Sequence, residues 1–262
     1  MRPMSAPQIF DRRAVRLHRD RAADLLGRVL PVLEDCGERL LDRLDDTKRS
    51  FRQALDLGGR GVVAPMLRAR GMEVVSSDLS GRMAALSGPP CVVADEEWLP
   101  FAPACFDLVV ASLSLHWVND LPGALVQIRR VLRPDGLFLA SLPALGTLGE
   151  LRTALTDAEA AVSGGASPRV SPFPELRDLA GLMGRAGFAV PVADVEDITL
   201  SYGDPVGLLR DLRAAGETNA VSQRDRRPPS PSLFATAAGA MAGPDGRIPA
   251  TLRLGTMTGW AS

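Results

Sequence analysis

Apolar positions along the chain change their period near residue 50. From about 12 to 46 they recur every three or four residues, in Leu25, Leu26, Val29, Leu30 and Leu33, continued by Cys36 and Leu40, with charges between them. That spacing places them on one side of a helix, so an amphipathic helical preface is predicted. Beyond it, short apolar runs alternate with helical stretches. Residues 54–57 read as a strand ending in glycines, 62–70 as a helix closed by Gly71, and 73–77 as a strand ending at Asp78. A helix over 79–86, a strand over 91–94 ending at Asp95 and a strand over 106–112 follow. Residues 121–132 then form a helix, Pro134-Asp135-Gly136 its stop and turn, and 137–142 a fifth strand. Strands that alternate with helices at this spacing build βαβ units, and continuous apolar strands mean a parallel sheet covered on both faces. The handedness rule for such crossovers leaves a doubly wound α/β sheet.

After residue 143 the alternation weakens. Helices are predicted over 148–162, 175–186, 205–215 and 233–241, a loop over 164–174, and strands over 188–202 and 250–260. Three segments result: a helical cap over 1–46, a sheet core over 47–142, and over 143–262 a helical lid that also completes the sheet. The helices between 143 and 187, with the N-terminal ones, should cover the substrate side. Pro228, Pro229 and Pro231, flanked by arginines, read as a surface connector.

Composition narrows the function classes. A chain of 262 residues with 46% hydrophobic content can bury a sizeable core. Its formal net charge of −1 argues against whole-molecule attraction to nucleic acid or anionic membrane. The N-terminus is locally basic, with Arg2, Arg12, Arg13, Arg16, Arg19 and Arg21 interrupted by Asp11 and Asp20. This reads as a solvated helix face, the alternatives being an anionic partner or a lid over a site. Three widely spaced cysteines (Cys36, Cys91, Cys105) without a CxxC, and two histidines, argue against a disulfide framework and a metal centre. With no apolar run of about 20 residues and no signal core, a cytoplasmic protein with reduced thiols and no membrane insertion is expected.

Candidate chemistry gathers at strand ends. In Leu55-Asp56-Leu57-Gly58-Gly59-Arg60-Gly61, glycines let backbone approach a ligand, and the next helix offers its N-terminal amides. Asp56 at the strand tip can accept from an amino group. Asp78, about 20 residues after the glycines, suits both hydroxyls of a ribose, and Asp95 suits an adenine amino group. All three should face one crevice. The glycines do not fit G-x-G-x-x-G, and no GKS or GKT marks a P-loop.

The run 55–61, Asp78-Leu79-Ser80, 94–101 and 106–110 resemble class I methyltransferases dependent on S-adenosylmethionine (SAM), of the type 11 kind. Residues 112–122, from Ser112 through His116-Trp117 to Pro122, resemble more narrowly the mitochondrial complex I assembly-factor methyltransferase-like family and its bacterial homologues. That likeness runs from Ile9-Phe10-Asp11-Arg12 through Gly149-Glu150-Leu151-Arg152, Gly184–Phe188 and Gly216-Glu217-Thr218-Asn219 to Gly259-Trp260. Malonyl-carrier-protein methyltransferases of biotin synthesis are a more distant match. The resemblance implies a Rossmann-like sheet of about seven strands with the last antiparallel. It also implies SAM as cofactor, held by Asp56, Gly58, Gly59, Gly61, Asp78, Leu79, Asp95, Glu96 and Ser112. The glycine turn is one residue shorter than the family's Gly-x-Gly-x-Gly, which alters where its amides point.

Methyl transfer to a small molecule, a carrier-bound acid or a protein side chain is the first reading. The resemblance implies a second, a SAM-binding assembly factor or arginine hydroxylase acting on a complex I subunit. Without CxxxCxxC, radical SAM chemistry is not on offer. At the reacting end, His116 is the candidate base or hydrogen-bonding group, Trp117 a pocket wall, and Arg152 a clamp for a substrate carboxylate. Tyr202, the only tyrosine, covers the pocket or simply packs.

Overall fold

The structure, a computed structural model, describes residues 8–165, 167–227 and 230–261. Arg2, Pro228 and Pro229 lie outside them. The helical preface is broken, not continuous. α1 (Arg12–Ala22) ends in a short 3-10 turn at Leu26–Arg28, and α2 (Leu30–Leu41) restarts with Pro31 in its first turn, where a missing N–H costs nothing.

The alternating segment follows the predicted elements within a few residues: β1 (Gln53–Leu57), α3 (Val63–Ala69), β2 (Glu73–Asp78), α4 (Gly81–Leu86), β3 (Cys91–Val93), β4 (Phe106–Ser112), α5 (Leu121–Val131) and β5 (Leu132–Pro143). One turn differs. β5 pairs Phe106 with Leu132 and Leu108 with Leu137, so Pro134-Asp135-Gly136 belongs to a bulge inside the strand. The rest is α6 (Gly149–Ser163), α7 (Leu176–Arg185), β6 (Phe188–Tyr202), α8 (Pro205–Ala214), α9 (Pro231–Met241) and β7 (Ile248–Ala261).

The seven strands form one sheet in the order β3-β2-β1-β4-β5-β7-β6. β7 runs antiparallel to both neighbours, and the other pairings are parallel. Strand period decides which face each residue serves. In β4, Val109 and Ala111 join the apolar layer of α5 and α7, and Leu108 and Val110 join that of α2 and α3. A third apolar cluster stands apart: Leu151, Leu155 and Ala158 of α6 pack with Leu208, Leu233, Ala237 and Ala250 from α8, α9 and β7. Of the helices expected to cover the substrate side, α6 joins this cluster, whereas Leu179 and Met183 of α7 join the core of the sheet.

After β1 the chain moves outward to β2 and β3, then returns to place β4 on β1's other side. The crevice at the carboxyl ends of β1 and β4 is such a switch point, where open α/β sheets bind ligands.

Candidate active site

The glycine turn closes β1. Gly58 donates its N–H to the Ser77 carbonyl (2.7 Å) at a φ of 73°. A Cβ on Gly58 would stand 2.5 Å from that of Ser114, and one on Gly59 would stand 2.1 Å from Asp56 Oδ1. Backbone and side chains are already in contact there, so only glycine fits. With one residue fewer in the turn, Arg60 follows Gly59 directly, at a φ of 53° and with its side chain buried. Asp56 accepts from the Ala64 N–H through Oδ2 (3.1 Å). Its Oδ1 is buried without a partner, and burial pushes the carboxyl up to about 7.

The acids after β2 and β3 converge on arginines of their own chain. Arg19 of α1, 1% exposed, reaches Asp78 Oδ2 and Glu96 Oε1 through Nη1, both at 3.1 Å. Arg12 donates to Asp95 Oδ1 (2.6 Å), to Glu96 Oε2 and to the Trp117 carbonyl (3.0 Å). Burial raises the Asp78 carboxyl, whereas Arg19 and Arg12 overcome burial at Glu96 and hold it below its usual range. Two expectations are thereby corrected. Arg12 and Arg19 are not a solvated face but a strap across the site, while Arg13, Arg16 and Arg21 do stay exposed. And the crevice expected between Asp78 and Asp95 holds the guanidinium groups of Arg12 and Arg19, which pair with Asp78, Asp95 and Glu96.

The residues nevertheless suit the cofactor. Asp56 Oδ1 lacks the donor an ammonium would supply, Gly58 and Gly59 bring backbone close, and Asp78 and Glu96 are already satisfied by planar N–H donors. Leu79 is half-buried beside Phe10 and Trp117, and the Ser112 hydroxyl meets that of Ser141 at 3.4 Å.

Glu217, which sequence reasoning met only inside a family-like run, organises the reacting side. Its Oε2 receives His116 Nε2 (2.8 Å) and Trp117 Nε1 (2.9 Å), and its Oε1 receives Arg60 Nη2 (2.5 Å). Burial opposes the charge, but His116 and Arg60 hold the carboxyl far below its usual range. Burial also lowers His116, which is therefore neutral at pH 7. An ionised Glu217 makes Nε2 the protonated nitrogen, which leaves Nδ1, buried and unpartnered, as the basic one.

Arg60, Trp117 and Glu217 form part of the wall of a cavity of about 670 Å³ that α6, α8 and β7 also line. Tyr202 lines it too. Arg152 is not brought to the site: its guanidinium bonds the Val170 (3.2 Å) and Ser171 (2.6 Å) carbonyls and braces the loop before α7. No group of three metal-ligating side chains occurs among the described residues, and no described helix is long and apolar enough to cross a membrane.

This sheet, with a glycine turn after β1 and acids after β2 and β3, defines a class I SAM-dependent methyltransferase, and residues 55–140 match the family described as "methyltransferase domain". The chain belongs to the branch shared by the mitochondrial arginine-hydroxylase NDUFAF5 and the bacterial malonyl-[acyl-carrier protein] O-methyltransferases. It is 39% identical to the former from Danio rerio, across 96% of this chain and 82% of that one. It is 37% identical to the latter from Halorhodospira halophila, across 93% and 86%. In fold it resembles YcgJ of Bacillus subtilis, with a TM-score of 0.59 at 14% identity over 85% of this chain and 97% of that one.

Proposed function

We propose that the chain methylates an acceptor admitted to the cavity under the lid. SAM would be held by Asp56 at its ammonium, by the turn Gly58, Gly59 and Gly61, by Asp78 at its ribose, and by Asp95 and Glu96 at its adenine, with Leu79 and Ser112 alongside. Bound there, it supplies a methyl group on a sulfonium. The observation that carries the reading is the Arg60–Glu217–His116–Trp117 network, which stands between the glycine turn and the cavity. Positioning accounts for much of methyl transfer. Where the acceptor is protonated at neutral pH, neutral His116 takes the proton. Four free-standing requirements follow for the chain: orient two ligands, exclude water, keep His116 neutral and keep Glu217 ionised.

The test is labelled SAM incubated with the protein and a lysate of the parent organism. Label in a product is the expected result. Asp78→Ala should weaken SAM binding at least tenfold in calorimetry, and unchanged affinity would remove Asp78 from the site.

A second reading, a SAM-binding assembly factor or arginine hydroxylase for a complex I subunit, is favoured by the identity to NDUFAF5 and by the arginines on Asp78, Asp95 and Glu96. SAM binding without transfer, with a complex I subunit recovered alongside the protein, would decide for it. A cytoplasmic location is supported by the free state of Cys36, Cys91 and Cys105.

A further inference from the structure

The cavity has a chemical signature of its own. Its long walls are apolar, built by Leu151 and Leu155 of α6, Phe173, Leu200 of β6, Leu208 of α8 and Leu252 of β7. Its volume lies in the range of drug-sized ligands. The lining carries six arginines against three acids, and of these arginines Arg169 also pairs with Glu159 and Arg224 and Arg226 with Asp11 behind it. Each acid is already paired, Glu217 with Arg60 and His116, Asp211 with Arg28, and Asp225 with Arg227. Arg213, by contrast, has no ion-pair partner among the described residues.

A second observation points to the polar group of the ligand. Three lining residues carry a buried nitrogen without a hydrogen-bond partner: Arg60 Nε, Arg169 Nε and His18 Nδ1. An arginine Nε can only donate, so what it lacks is an acceptor oxygen. Such groups are costly to leave unmade when buried. A purely hydrocarbon ligand would leave them so, and an ammonium head would face an excess of arginine.

We propose that the cavity binds an amphiphile with a hydrocarbon body of medium length and an oxyanion head. The apolar walls take the body, and the arginines of the lining take the head, Arg60 and Arg169 by turning their shielded Nε edges toward it. This deepens the acceptor reading and rests on it only for calling the ligand the acceptor. Binding itself stands on the lining alone.

Calorimetry on the full chain tests it, with decanoate, decyl phosphate and decyltrimethylammonium below their micelle concentrations. Both anions should bind at least tenfold more tightly than the cation, and the tighter anion names the head. From hexanoate to decanoate, affinity should rise about fourfold per methylene. Leu155→Trp, which narrows the cavity, should weaken decanoate at least tenfold and leave SAM affinity unchanged. Equal affinity for cation and anions, or no dependence on chain length, overturns the proposal. Both of those are read on the unaltered protein, so a variant that fails to fold does not blunt the test. If SAM fails to bind while decanoate does, the methyltransferase reading falls and this one stands.

Discussion

A single carboxylate sets the electrostatics of the reacting side. Glu217 offers two acceptor oxygens, one to Arg60 and the other to His116 and Trp117. A neutral amide has one acceptor oxygen for the three donors. Glu217→Gln should therefore leave buried Arg60 without its counter-charge, a loss of about 3–5 kcal/mol for a broken buried pair. It should also lower turnover at least tenfold with SAM affinity unchanged. The pH profile separates positioning from packing. Glu217 is the charge that raises His116 against the effect of burial. Without it the His116 value drops further, and if neutral His116 is the working base, the acid limb of the rate profile moves to lower pH. A variant that melts earlier but keeps both rate and acid limb would make Glu217 structural. His116→Ala is the companion: turnover should fall more than SAM affinity, and full activity would make the histidine a packing residue.

At the scale of elements, α1 is the surprise. Its arginines resemble a solvated face in the sequence because helix period reports which residues are apolar, not which charges find partners. Arg19 is buried only because Asp78 and Glu96, on β2 and after β3, arrive opposite it. Phe10 fixes the entry to the helix, giving its N–H to Asn119 Oδ1 (2.7 Å) and its ring edge to Trp117 at 5.3 Å between centroids. Glu217 was illegible for a similar reason: it lies between α8 and α9 in irregular chain, and no spacing rule connects it with His116. Asp56, Asp78 and Asp95 were legible, since a strand's end can be read from its apolar run and each acid stands at or beside one. The long strands β6 and β7 could be read from their apolar character, but their pairing could not, because the order in a sheet is set by contacts far apart in sequence. The expected clamp at Arg152 failed because a guanidinium on a helix serves whichever carbonyls come closest. The strap has a measurable consequence. A ribose can reach Asp78 only where Arg19 yields it. Arg19→Met should lower the melting temperature by leaving buried Asp78 without its arginine and Glu96 with Arg12 alone, yet SAM should raise that temperature more in the variant than in the native chain. Equal SAM-induced shifts would mean that Arg19 and the ribose do not compete.

Across the whole molecule, the buried charges at the carboxyl edge of the sheet pull stability in opposite directions with pH. Glu217 is held below its ordinary value of 4.5 in the folded state, so the stability it contributes is present above about 4.5 and is lost as pH falls. Asp56 is raised from 3.8 to about 7, so its contribution is full below 3.8 and is lost as pH rises through about 7. Glu96 adds to the first trend and Asp78 to the second, by the directions of their shifts. His116 and His18, held below 6.5 by burial, add to the first trend until about that pH, so the limbs meet between mild acid and pH 7, and the native chain should melt highest there and lose stability above it. Asp56→Asn removes the neutral limb: it should melt later than the native chain at pH 8, differ little at pH 4, and bind SAM more weakly for want of the ammonium's acceptor. Glu217→Gln should flatten the acid limb instead. The measurement is thermal unfolding from pH 3 to 9 on the three proteins. An Asp56→Asn profile parallel to that of the native chain would show that this carboxyl is not raised, and that the closed site at the end of β1 carries no strain for cofactor binding to relieve.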